Sequence, residues 1–207
     1  MAEILNLTDE QLDALKEIGN IGAGNAATAL SQLLGKKVSV NVPQAKLLPL
    51  EKLSEIEILE RPEELTIAVS LRILGKLKGG MLVLFPQKSA LTMIDILTQR
   101  KIGSTEVFTT IDESALSESS HIICCSYLNA VGQFLSLYQL IPSITETSID
   151  RVDKLTKVVM KRFISPDVNC ILPIKNHLVI EDVELDLFVI FLLELESFNE
   201  ILKTVGL

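Results

Sequence analysis

The stretch Leu15 to Leu30, LKEIGNIGAGNAATAL, places Gly19, Gly22 and Gly24 within six residues without interrupting the apolar period around them. Leu15, Ile18, Gly22, Ala26, Ala29 and Leu33 recur at helical spacing, and this pattern predicts one long amphipathic helix running straight through the glycines. Thr8 or Asn6 can cap it, Asp9 and Glu10 suit its first turn, and Gly35 suits its end. Each mid-helix glycine costs about 1 kcal/mol relative to alanine, so the run demands a compensating contact.

GAGNAA also reads G-x-G-x-x-A, but a dinucleotide fingerprint must follow a strand and open a helix. Here EQLDALKEI is already helical in period, and backbone N–H groups inside a helix are not available to phosphate. No G-K-S/T follows, which excludes a P-loop. At about 100° per residue, Gly22 shares the Leu15–Ile18–Ala26 stripe, as if for close packing against a sheet or another helix. Gly24 shares a different face with Asp13, Glu17 and Asn20. A missing side chain there leaves an open floor beside a carboxylate and a carboxamide, and Ala27 is expected to extend it. Glu17 and Asn20, at i and i+3, are surface neighbours. A carboxylate can pair with a cation on a partner, and a carboxamide can donate and accept, so it can hold a water.

Beyond the first helix, KKVSVNVPQAKLLPL reads as extended, with Pro43 and Pro49 suiting an edge strand. LTIAVSLRIL and GGMLVLF read as a hairpin turning at GKLKGG, and QKSALTMIDILTQR as a helix. ESALSESSHIICCSYLNAVGQFLSLY reads as a second long helix, SLYQLIPSITETSI as extended and RVDKLTKVVMKRF as a short helix. VNCILPI, HLVI and VELDLFVIFLL read as strands, and ESFNEILKTVG as a closing helix. The order repeats. A shift of about 101 residues superposes Asp13 on Ser114, Leu15 on Leu116, Glu17 on Glu118, Asn20 on His121, Ala29 on Ala130 and Leu34 on Leu135. The expectation is a single domain of two pseudo-repeats, residues 8–105 and 109–207, folded as a two-fold pseudo-symmetric α/β sandwich with two long helices on a largely antiparallel sheet.

Net charge is −8 with no basic cluster, which disfavours nucleic acid and anionic lipid as partners. The N-terminus is acidic and LFVIFLL is too short to span a bilayer. Three cysteines, two of them adjacent, form no disulfide framework. A cytoplasmic setting is expected. His121, Cys124 and Cys125 could offer two ligands to zinc, short of the three an open site needs, so no metal and no cofactor is expected.

Asp13-x3-Glu17-x2-Asn20-x22-Pro43, within the run EIGNIGAGNAATALS, resembles the D/S-x3-E-x2-N-x22-P signature of the CheC/CheX/FliY family of chemotaxis phosphatases, with the length of its stand-alone CheC branch. The resemblance implies the duplicated fold and an enzyme that dephosphorylates the aspartyl phosphate of a CheY-like response regulator. It implies Glu17 and Asn20 as catalytic residues, the first pairing with the regulator's lysine and the second orienting the attacking water. Asp13, Gly24 and Pro43 support them. Mg²⁺ would arrive with the phosphorylated receiver. A CheD-like receptor deamidase is implied as a further partner, and a regulatory binding module for CheD or a receiver is the alternative function. The second helix departs from the signature. Ser114 and Glu118 are present, but His121 replaces the asparagine, Cys125 stands in place of Gly24, and Pro142 falls two positions short. This second site is expected to be weak or inactive.

Overall fold

The computed structural model describes residues 8–45, 47–137, 140–163, 168–194, 196, 197 and 199. Helix α1 spans Asp9–Leu34, with Thr8 as its N-cap. The Thr8 hydroxyl accepts from the Gln11 amide while the Gln11 side chain accepts from the Thr8 amide, a reciprocal capping box. The helix ends at Gly35 in the left-handed region, φ 62°. After it come strands β1 (Val38–Ala45) and β2 (Leu48–Pro49), two short 3₁₀ turns, and the hairpin β3 (Leu65–Gly75) and β4 (Gly79–Pro86). Helix α2 (Gln87–Leu97) leads to the second long helix, α3 (Thr110–Phe134). The chain continues through β5 (Leu140–Pro142), β6 (Glu146–Arg151), α4 (Val152–Phe163), β7 (Val168–Ile180) and β8 (Val183–Glu194).

The eight strands form one antiparallel sheet in the order β1-β7-β8-β4-β3-β5, with β2 also on β7 and β6 also on β3. Period-two alternation explains why it is covered on both faces. Met81, Val83 and Phe85 of β4, with Leu187, Val189 and Phe191 of β8, join the core beneath α1, α2 and α3. The intervening Leu82, Leu84, Phe188, Ile190 and Leu192 join a second core under the 3₁₀ turns and Leu155 of α4. The result is a three-layer α/β sandwich. The run FVIFLL is thereby accounted for as a central strand. Among the described residues no helix is long and apolar enough to cross a membrane.

Three local expectations change. VNCILPI and HLVI are one strand, β7, not two. Pro173 lies within it, opposite Ile190 of β8. Helix α3 begins at Thr110, earlier than the apolar period suggested, because Thr109 and Asp112 make a second capping box. Leu33 shares the azimuth of Leu15 yet is 46% exposed. It lies in the last turn of α1, where the face opens on a cavity of about 430 Å³ lined also by Ile96, Ile102 and Val183, and Leu30 is fully buried in its stead. The closing helix ESFNEILKTVG falls largely outside the described residues.

Candidate functional site

Helix α1 rests on α3 through Gly22. A Cβ at Gly22 would stand 2.4 Å from Cδ1 and 2.7 Å from Cε1 of Tyr127, so only glycine admits the ring there. Tyr127 is fully buried. Its hydroxyl donates to Asn176 Oδ1 at 2.5 Å, and its ring meets Phe191 edge-on with centroids 6.1 Å apart. Burial pushes the phenol well above its usual range, so the hydroxyl keeps its proton and remains a donor. This is the compensating contact for one of the three glycines: α1 approaches the partner helix to within a ring's thickness.

The opposite side of α1 is open. Asp13, Glu17, Asn20 and Gly24 are all exposed, and nothing lies within 4 Å of where a Gly24 Cβ would be. The Asp13 carboxylate holds Lys16 at 2.9 Å, an exposed pair of small energetic weight. Glu17 and Asn20 make no side-chain hydrogen bond or ion pair among the described residues. One expectation fails: Ala27 is buried in the main core, so the open floor is Gly24 without it.

Pro43 lies in β1, the edge strand of the sheet. Pairing of β1 with β7 runs from Val38↔Ile180 to Asn41↔His177 and resumes at Gln44↔Lys175. Val42 and Pro43 together therefore stand opposite the single residue Asn176. This is a β-bulge, a device that bends a strand and re-aims what it carries. Edge position and bulge both spare the backbone N–H that proline lacks.

On α3, Ser114 and Glu118 are exposed and His121 is half-buried, so the three share the outward face as the spacing requires. Ser114 Oγ donates to the Thr110 carbonyl, and the hydroxyl is thus turned along its own helix. Cys125 is half-buried, its thiol pushed up by burial and by the Glu118 charge. It is a neutral, space-filling group where α1 has Gly24. Cys124 is fully buried and Cys170 lies on β7. Among the described residues no group of three or more His, Cys, Asp or Glu side chains could hold a metal ion. The flanks of this face are apolar. Ile111, one turn before Ser114, is 68% exposed, and Ile144 is 85% exposed, beside Thr145, whose hydroxyl meets Ser117 of α3 at 2.7 Å.

A network that sequence reasoning missed holds the start of α3. Asp95 of α2 is fully buried and accepts from the Gly103, Ser104 and Thr105 amides and from the Ser104 and Thr105 hydroxyls. Burial pushes this carboxyl up, but the Thr105 hydroxyl and the Gly103 and Ser104 amides outweigh it and hold it below the usual range. Arg100 joins Thr105 Oγ1 to Asp112. The only available hint in sequence was a lone Asp in an apolar helix followed by a Gly-Ser-Thr loop.

A sequence model described as the CheC-like family matches residues 10–47, the stretch from the start of α1 past Pro43. The chain is 36% identical over 146 residues to the CheY-P phosphatase CheC of Bacillus subtilis (strain 168), covering 70% of this chain and 68% of that protein. It is 33% identical over 95 residues to the flagellar motor switch phosphatase FliY of the same organism, covering 46% of this chain and 24% of that protein. In three dimensions it matches the crystal structure of Thermotoga maritima FliY with a TM-score of 0.79 at 19% identity, over 98% of each chain, a likeness of fold.

Proposed function

The chain belongs to the CheC-like family, and on that premise we propose that it hydrolyses the aspartyl phosphate of a CheY-like receiver at a single site on α1. The observation that carries the reading is the outward pair Glu17 and Asn20 beside the empty floor at Gly24. A carboxylate and a carboxamide without internal partners among the described residues stand beside an open floor where another backbone can come close.

The division of labour follows from the chemistry. An aspartyl phosphate carries its own electrophile, and the receiver's bound Mg²⁺ supplies charge neutralisation. Positioning and electrostatics do most of the work in phosphoryl transfer. Asn20 enters the receiver's site, and its carboxamide oxygen accepts a hydrogen bond from the attacking water, holding it in line with phosphorus. Glu17 pairs with a lysine of the receiver and fixes the depth of insertion. Asp13 and Pro43 flank the contact. This mechanism requires neither a general base nor a metal from the chain itself.

We read the two halves as pseudo-repeats, a reading supported by two capping boxes at Thr8 and Thr109 that start helices of 26 and 25 residues. The second half has diverged. Its exposed Ile111 and Ile144 favour a second, non-catalytic role for the α3 face, as a binding surface for a receiver or a CheD-like deamidase. Decay of a phosphorylated CheY-like receiver in Mg²⁺ tests the assignment. Wild type and His121→Ala should accelerate it, and Asn20→Ala should not. Unchanged decay with wild type, together with retained binding, would leave the binding module as the function.

A further inference from the structure

The signature that marks the site is split. Asp13, Glu17 and Asn20 ride on α1, whereas Pro43 sits on the edge strand β1 after the helix has ended. Something must set the distance between them, and the linker between α1 and β1 is not the only connection. Tyr127, from the other half of the chain, touches α1 directly and reaches β1 through one residue of β7. Its ring occupies the notch at Gly22, two residues from Asn20. Its hydroxyl donates to Asn176, the residue of β7 that faces the bulge of Val42 and Pro43.

We infer that Tyr127 and Asn176 are positioning residues that hold the Asn20 face of α1 and the Pro43 bulge of β1 in one fixed relation, so that the two meet the receiver as a unit. The inference rests on the proposed phosphatase reading for its functional consequence, though not for its structural one. Three features give the gauge its stiffness. Phe191 meets the ring edge-on. Asn176 is buried, and its Nδ2 donates to the Ile174 carbonyl at 3.0 Å, which fixes the amide with its oxygen toward the phenol. At Gly22 the ring leaves no slack, because even one methyl group would collide with it. A bulge has lost ladder hydrogen bonds and is free to shift unless something anchors the residue opposite. Asn176 is that residue, and the Tyr127 hydroxyl is its anchor. A displacement of even 1 Å at a positioned group can change a rate by as much as about a hundredfold.

The test separates positioning from stability. Tyr127→Phe keeps the ring in the notch and strands the Asn176 oxygen, so it loses both thermal stability and activity. Tyr127→Phe with Asn176→Leu removes both partners of the hydrogen bond, so neither side chain is left with an unpaired polar atom, and only the Ile174 carbonyl loses its side-chain donor. Thermal stability should return toward wild type in the double variant. Its kcat on the phosphorylated receiver should stay about tenfold low with KM changed less than about twofold. Recovery of kcat together with stability would overturn the inference. A second readout needs no activity: in the double variant, amide hydrogen exchange should quicken together at residues 19–24 and 41–44, with α2 unchanged. Exchange confined to α3 would overturn it as well. Asn20→Ala, with Tyr127 intact, should abolish hydrolysis without altering exchange at 41–44. If wild type does not accelerate receiver decay at all, the phosphatase reading fails while the exchange result still decides whether Tyr127 couples the helix to the bulge.

Discussion

Arg100 Nη1 stands 2.7 Å from Oδ1 of Asp112, a carboxylate with no exposed surface. The contact is a close ion pair rather than an aligned hydrogen bond, since Oδ1 has no well-directed donor. Oδ2 does the capping, accepting from the Thr109 amide and hydroxyl. Arg100 thus neutralises the charge whose other oxygen starts α3. Arg100→Ala would leave that carboxylate buried and uncompensated, at about 2 kcal/mol. Thermal unfolding of the variant should show the loss. An unchanged midpoint would mean that water reaches Oδ1 and the pair contributes nothing.

Asp95 and Asp112 also set the response to acid. Burial raises both carboxyls, but hydrogen bonds, joined at Asp112 by the Arg100 charge, more than offset it, so both are held below the usual range. A folded value below the unfolded one means the stabilisation is complete above the unfolded carboxylate pKa, about 3.9. It is lost as pH falls through the lower folded values. Melting midpoints should therefore hold from pH 7 to about 5 and fall steeply toward pH 3. Asp95→Asn should melt lower at pH 7, because an amide nitrogen then faces donors, and should show a shallower acid slope. An equal slope in both proteins would place the acid sensitivity elsewhere.

Gly22 and Gly24 of α1 should respond to alanine in opposite directions. Gly22→Ala drives a methyl group into the Tyr127 ring and should cost about 1–3 kcal/mol through overpacking. Gly24→Ala meets open space, removes the helix penalty of glycine, and should stabilise by up to about 1 kcal/mol. If the floor at Gly24 admits the receiver's backbone, the same change should lower kcat/KM for the phosphorylated receiver. A Gly24→Ala protein that is both more stable and fully active would show that the glycine serves folding alone.

Much of this was legible in the chain because it is written locally. Thr8, Gly35 and the apolar period define α1. The turn GKLKGG between LTIAVSLRIL and GGMLVLF defines the β3–β4 hairpin. The outward face of Asp13, Glu17, Asn20 and Gly24 follows from helical arithmetic. What could not be read depends on contacts distant in sequence. Tyr127 gives no sign that it fills the notch at Gly22, nor Asn176 that it faces the Pro43 bulge. The unity of β7 across Pro173 depends on its continuous pairing with β8. Leu33 obeys the period and is exposed nonetheless, because periodicity gives direction but not whether anything lies that way. Asp95 reads as an anomaly until the loop that wraps it is seen.

The second long helix offers the sharpest test of how a site is lost. Glu118 remains exposed on α3 with Ser114 in the place of Asp13, and two further residues separate this face from that of α1: His121 for the asparagine and Cys125 for the glycine. The thiol, neutral and half-buried, occupies the floor, and an imidazole is longer, bulkier and differently directed than a carboxamide. His121→Asn alone should therefore restore little, because Cys125 still blocks close approach. Cys125→Gly alone should restore little, because nothing holds the water. The pair together should raise kcat by up to about twofold, the limit for two independent and equal sites, and the gain should survive Asn20→Ala. Receiver decay measured in that triple variant decides the matter. Activity there means that the helix, the carboxylate and the space are sufficient. No activity means that the apolar flank of Ile111 and Ile144 has already turned the face to another use.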